Sequence, residues 1–197
     1  MKHPIRRTLA LLLILCTVLI TITACGQNEA EKAAAALLDD CIACKPDAMA
    51  SVMGYDILSL TDIERYTLAR MQYRIVSSSQ LDTVRWNVTV DTNLYDIMDL
   101  LNTAVLYSMA SLESGTTFDG NFWILEQLNN GIAVTANFRA VMPMIKTDNG
   151  FVIDTDRIGD DLRDAVSGGA FSWYAVYRDT FGEDDTAAPE GVFVPAA

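Results

Sequence analysis

One histidine occurs in the 197 residues, and it is His3. Bases are also scarce, 14 lysines and arginines against 26 acids, for a formal net charge of −12. A chain this acidic is repelled by phosphate backbones and anionic headgroups, so nucleic acid is excluded as a partner. Long apolar runs are missing except for one, Leu9 to Thr23, LALLLILCTVLITIT. Fifteen helical residues cover roughly 22 Å, short of the ~30 Å hydrocarbon core, and Gly26-Gln-Asn-Glu29 is polar. A spanning helix is therefore not expected. No internal repeat is present.

What stands at the N-terminus fits export. Residues 1–8 carry Lys2, Arg6 and Arg7 and no acid. A basic start, a short apolar stretch and small residues before a cut define a secretory signal peptide. Ile22-Thr23-Ala24-Cys25 resembles the bacterial lipobox, an aliphatic residue followed by two small ones and cysteine. The resemblance implies cleavage between Ala24 and Cys25 and a diacylglyceryl group on the Cys25 thiol. The competing reading is an ordinary signal peptide with a chance cysteine. Under the lipobox reading residues 1–24 are removed and 25–29 form a short lipidated tether. Residues 30–181 form one α+β domain, and 182–197 an acidic, loose tail. The remaining 173 residues lose three of the 14 bases and no acid, so the charge becomes 11 − 26 = −15. His3 leaves as well. Without imidazole, Ser-His-Asp and Cys-His catalysis and His-ligated metal or haem sites are excluded.

Within the domain the period of the apolar residues defines the elements. Ala30 to Cys44 reads as a helix stopped by Lys45-Pro46. Pro46 to Met53 reads as a second helix closed by Gly54, and Thr61-Asp-Ile-Glu64 opens a third with capping-box spacing. Tyr73–Ser79 and Val84–Asp91 alternate as a strand pair, with Val84, Trp86, Val88 and Val90 on one face. Residues 93–112 show helical spacing from Leu94 to Leu112, and a shorter helix is expected over Gly120–Asn129. Ile132 to Met144 alternates over thirteen residues, followed by an Asp148-Asn149-Gly150 turn and a return strand, Phe151–Asp154. Ile158, Leu162, Ala165 and Val166 mark a further helix ended by Gly168-Gly169, and Phe171–Phe181 another.

Helices first, then strands around a long helix, predict an α+β fold with a curved antiparallel sheet. On "YRIVSSS…VRWNVTVD", "AVMPMIKTDNGFVIDTD", the Ala-rich first helix and the lipobox, the chain resembles small Gram-positive lipoproteins with a nuclear transport factor two-like cone. Phe151 stands where that group leads one to expect tryptophan. The resemblance implies a lipid-anchored protein on the outer face of a bacterial membrane. Its cone mouth or floor would be lined by Trp86, Val88, Phe138, Met142 and Phe151. Such a fold carries many functions.

Several constellations invite chemistry and have blander readings. Cys41-Ile-Ala-Cys44 has redox spacing, yet it falls in the last helical turn beside Asp39 and Asp40, where dipole and carboxylates oppose a thiolate. Buried structural thiols or a local disulfide fit better. Asp154 to Asp160 has calcium-loop residues at positions 1, 3 and 6, but Ile158 and Ala165 stand at positions 5 and 12. Met142, Met144, Met49 and Met53 fit core packing better than a soft-metal site. No metal and no cofactor is expected. The inward strand positions carry no acid, while Asp91 and Arg139 lie on the other face. The leading expectation is a non-catalytic module that binds a small apolar ligand or an envelope protein. The alternative is a histidine-free, isomerase- or hydratase-like enzyme with a carboxylate buried in the cone. A third reading is a cone filled by its own side chains, which leaves a protein–protein role.

Overall fold

The computed structural model describes residues 28–54 and 57–181. Three helices come first: α1 (Glu29–Ile42), α2 (Pro46–Met53) and α3 (Asp62–Leu68). Strands β1 (Gln72–Gln80) and β2 (Arg85–Tyr95) follow, then α4 (Ile97–Ser114) and α5 (Gly120–Asn129). The second hairpin is β3 (Thr135–Thr147) and β4 (Gly150–Ile153). A 3-10 turn over Thr155–Arg157 leads to α6 (Asp160–Ser167) and α7 (Ala170–Phe181). The architecture is α+β, with a four-stranded antiparallel sheet in the order β1-β2-β3-β4.

Local chemistry fixes the helix ends. Asn28 and Thr61 each form a capping box, with Glu31 and Glu64 respectively reaching back to the cap backbone. Pro46 occupies the first turn of α2, and Gly54 closes it in the left-handed region. α1 stops two residues before the predicted Cys44. The chain turns there through Cys44 itself at φ +57, the one described non-glycine residue with positive φ.

The alternation of β2 runs further than the sequence reading gave it. Thr92 and Leu94 continue the buried face of Val88 and Val90, so Leu94 belongs to the sheet and not to a helix. Asp96 then caps α4 by accepting from Asp99 N at 3.0 Å. At the other end of the strand, Val84 is exposed and lies in the turn before β2. Asp82 Oδ1 builds that turn by accepting from Val84 N and Arg85 N. Ile132 and Val134, predicted to open β3, are exposed and precede it. Val134 O is instead taken by Asp96 N at 3.0 Å.

The predicted long helix at the centre of the strands is also corrected. α4 packs mainly on α5 and α7, and the sheet is covered by α1 and α6. α1 runs antiparallel to β1: Asn28 Nδ2 donates to Ser78 Oγ at 2.6 Å, and Tyr73 Oη reaches Asp39 Oδ1 at 2.8 Å. α6 covers the part of β3 that β4 leaves unpaired, with Asp161 Oδ2 accepting from Val141 N at 2.9 Å. The core is continuous from α1 (Ala34, Leu38) through the sheet (Val88, Met142) to α6 (Leu162, Val166). At the junction of α6 and α7, Gly168 passes so close to β2 that an added Cβ would lie 2.2 Å from Tyr95 O. β1 is an edge strand. A bulge between Ile75 and Ser77 leaves Val76 without a ladder partner and 40% exposed.

Candidate functional site

The inner face of the sheet carries the five residues predicted to line a cone, and the structure divides them. Val88 and Met142 are directly paired across β2 and β3 and fully buried. Trp86 and Phe151 meet edge to face at the β4 end of the sheet, ring centroids 6.2 Å apart. Phe138 pairs with Thr92 at the opposite end, beside Gly169. Thr92 is the one polar inward residue between Trp86 and Leu94, and its Oγ1 donates to Ala165 O at 2.7 Å. No carboxylate points inward from this stretch. Met49, Met53, Met142 and Met144 are all at most 1% exposed, as core packing requires.

The outer face has its own order. Asp91 lies between Arg74 and Arg139 in one cross-strand row. Arg74 donates to Asp91 Oδ2 at 2.8 Å, and Arg139 grips both oxygens at 2.7 and 3.0 Å. These hydrogen bonds, Arg139 first, hold the Asp91 carboxyl well below the usual carboxylate range, and Asp91 in turn raises Arg139. A depression of about 260 Å³ beside it is lined by Tyr73, Arg74, Asp91 and Asn137. It shares Gln72 and Asn93 with a second, of about 430 Å³, that reaches Arg70 and Tyr95. The alternation of β2 and β3 had placed Asp91 and Arg139 on this face. The partner Arg74 becomes visible only once the β1–β2 register is known.

A third depression, about 360 Å³, lies between α4 and α5 and is lined by Tyr107, Ser111, Phe118 and Trp123. The three rings form a cluster with centroids 5.4 to 6.3 Å apart. Elsewhere on the same two helices Leu106, Leu112 and Phe122 are 66%, 71% and 66% exposed. The helical spacing of α4 made its whole apolar stripe look like core. Only the half up to Val105 is.

The remaining candidates resolve locally. Cys41 and Cys44 are free thiols. Burial, then the charges of Asp40 and Cys44, pushes Cys41 up to about 12. Burial also raises Cys44, against the lowering charge of Arg65. Asp154 is 9% exposed and faces Arg85 at 3.7 Å and Arg157 at 4.0 Å, so its carboxylate is turned to cations of the chain itself. Asp160 pairs with Arg163 at 2.7 Å, and Asp161 is committed to β3. Among the described residues no three potential ligand side chains gather into a metal site. No described helix is long and apolar enough to cross a membrane. Ala24 and Cys25 lie outside the described residues, as does the predicted tail from Gly182. Compared with known protein families, characterised proteins and solved structures, the chain finds no match.

Proposed function

We propose that this protein is a lipid-anchored binding module on the outer face of a bacterial membrane, held there through Cys25, with a nuclear transport factor two-like cone filled by its own side chains. The observation that carries the reading is the junction of two signals. Ile22-Thr23-Ala24-Cys25 ends the apolar run, and Asn28 caps the first helix three residues later. A tether that short reaches at most ~11 Å, so the lipid on Cys25 would hold the N-terminal end of α1 against the bilayer. Two acyl chains suffice for stable attachment where one does not.

The filled cone is supported by the character of the sheet's inner face. Val88, Val90, Ala140, Met142 and Met144 are at most 1% exposed. An apolar face packed this closely leaves recognition to the exterior. The alternative, a histidine-free enzyme, requires a carboxylate inside the cone, and the inward positions of β2 and β3 offer none.

Growth of the native host with an alkyne fatty acid, followed by mass spectrometry of the purified chain, tests the anchor. Expected is a mass lacking residues 1–24 and carrying a diacylglyceryl group on Cys25. Cys25→Ala should remain unlabelled and leave the membrane fraction. A labelled or membrane-retained Cys25→Ala would overturn the reading.

A further inference from the structure

On the outer face of the sheet we infer a binding site for an acidic glycan, a chain of sugars that bear carboxylates; this gives the binding role proposed above its ligand and rests on it. The strand register builds the site. β1 pairs no further than Gln72 with Asn93, so Leu94 and Tyr95 run on without a partner on that side. The link from α3, Ala69–Met71, flanks them across a depression of about 430 Å³. Through Gln72 and Asn93 it continues into the second depression, of about 260 Å³, beside Arg74 and Asp91. From Tyr95 to Asp91 this trough covers four strand residues, roughly 13 Å, which is room for more than one sugar ring.

Two cross-strand rows give the trough its chemistry. Gln72, Asn93 and Asn137 stand in register, three carboxamides side by side. Asn93 Nδ2 is spent on Asn137 Oδ1 at 2.8 Å and Ala136 O at 3.4 Å. Among the described residues both ends of the Gln72 amide, Asn93 Oδ1 and Asn137 Nδ2 have no partner. A hydroxyl both gives and accepts, so open donors beside open acceptors suit a polyol better than a simple anion.

The next row, Arg74–Asp91–Arg139, sets the charge. Asp91 is the one acid lining the trough, and Arg139 already grips both its oxygens. Arg74 gives Asp91 a single hydrogen bond and is 72% exposed. At the other end Arg70 lies over the Tyr66 ring, 3.6 Å from its centroid, and that ring meets Tyr95 at 6.0 Å. Three guanidiniums around one carboxylate make a local positive field in a chain of net charge −12, and their forks match carboxylates.

The same lining disfavours other ligands. Met71 and Leu94 are 4% and 1% exposed, so no large aliphatic side chain is offered to a lipid or to the anchor residues of a peptide. A free phosphate would engage the arginines and leave the carboxamide row unused.

The test is isothermal titration of the full chain, purified from the native host, with a β-linked glucuronic acid tetramer. The glucose tetramer of the same linkage and inorganic phosphate are the controls. Expected is saturable binding of the acidic tetramer, about tenfold or more tighter than either control and weakened by raised salt. Arg70→Gln with Arg74→Gln, and separately Gln72→Ala with Asn137→Ala, should each lower the affinity about tenfold or more at unchanged melting temperature. Lys146→Gln removes one charge nine residues along β3 from Asn137 and should leave it unchanged. Equal affinity for the glucose tetramer or for phosphate, trough variants that bind like the natural chain, or no binding at all overturns the proposal. Membrane retention of Cys25→Ala would defeat the anchor without touching this titration, so the two readings fail separately.

Discussion

Cys41 and Cys44 are three positions apart, yet their surroundings set them on different chemical scales. Cys41 has no exposed surface and a thiol pushed up to about 12, while Cys44 turns at the helix end and is partly open. The buried Cys41 thiol therefore stays protonated, and so unreactive, at pH 8. Native alkylation followed by peptide mapping should therefore modify Cys44 and leave Cys41 until the protein is denatured. Equal modification would show that the helix opens. Gly168 supplies a second test at this scale. Gly168→Ala forces a methyl against Tyr95 O and strains φ +67, whereas Gly115 and Gly131 share the left-handed φ but have nothing within 4 Å. Alanine at those two should cost about 1 kcal/mol, and at Gly168 about 3 kcal/mol or more, read from urea midpoints. The sequence made Gly168 legible as a helix stop. The close approach to β2 is a tertiary fact that no local pattern carries.

Elements are held to one another by few polar contacts, and the docking of α1 on β1 is titratable. Tyr73 Oη donates to Asp39 and also lies 3.2 Å from Ala35 O. Burial, followed by the bond to Asp39 and its charge, pushes the phenol up to about 12. The unfolded phenol titrates near ~10, so this contribution to stability is complete below pH 10 and is lost as pH rises from 10 to 12. Urea midpoints measured from pH 9 to 12 should fall more steeply for the natural chain than for Tyr73→Phe. The helix caps were readable beforehand, because Thr61-x-x-Glu64 states its geometry in its residue types. Asn28→Ala or Thr61→Ala should each cost about 1 kcal/mol by the same measurement. The boundary between β2 and α4 was harder to read. Leu94 fits both an alternating strand and a 3.6-residue stripe, and only the pairing of Leu94 with Ala136 decides for the strand.

For the molecule as a whole, apolar surface is divided between a core and an outward groove, and sequence periodicity cannot tell them apart. The stripe of α4 is continuous from Leu100 to Leu112, but its buried residues end at Val105. The α+β class and most element positions followed from period and turn chemistry. Which helix would lie on the sheet did not, since α1, α4 and α6 all present an apolar side. The two kinds of surface should respond oppositely to truncation. Met142→Ala should cost about 2–5 kcal/mol, whereas Leu106→Ser and Leu112→Ser should stay within about 0.5 kcal/mol each, checked by thermal and urea unfolding. The bulge in β1 bears on how many copies can share one surface. Proteins tethered in a plane collide far more often edge to edge than the same number in bulk, and an open strand is where such collisions would fuse sheets. Val76 displaced from the ladder and the hydroxyl run Ser77–Ser79 deprive a neighbour of a matching template. Tethered as proposed above, the chain could be packed densely without its β1 edges fusing into a shared sheet.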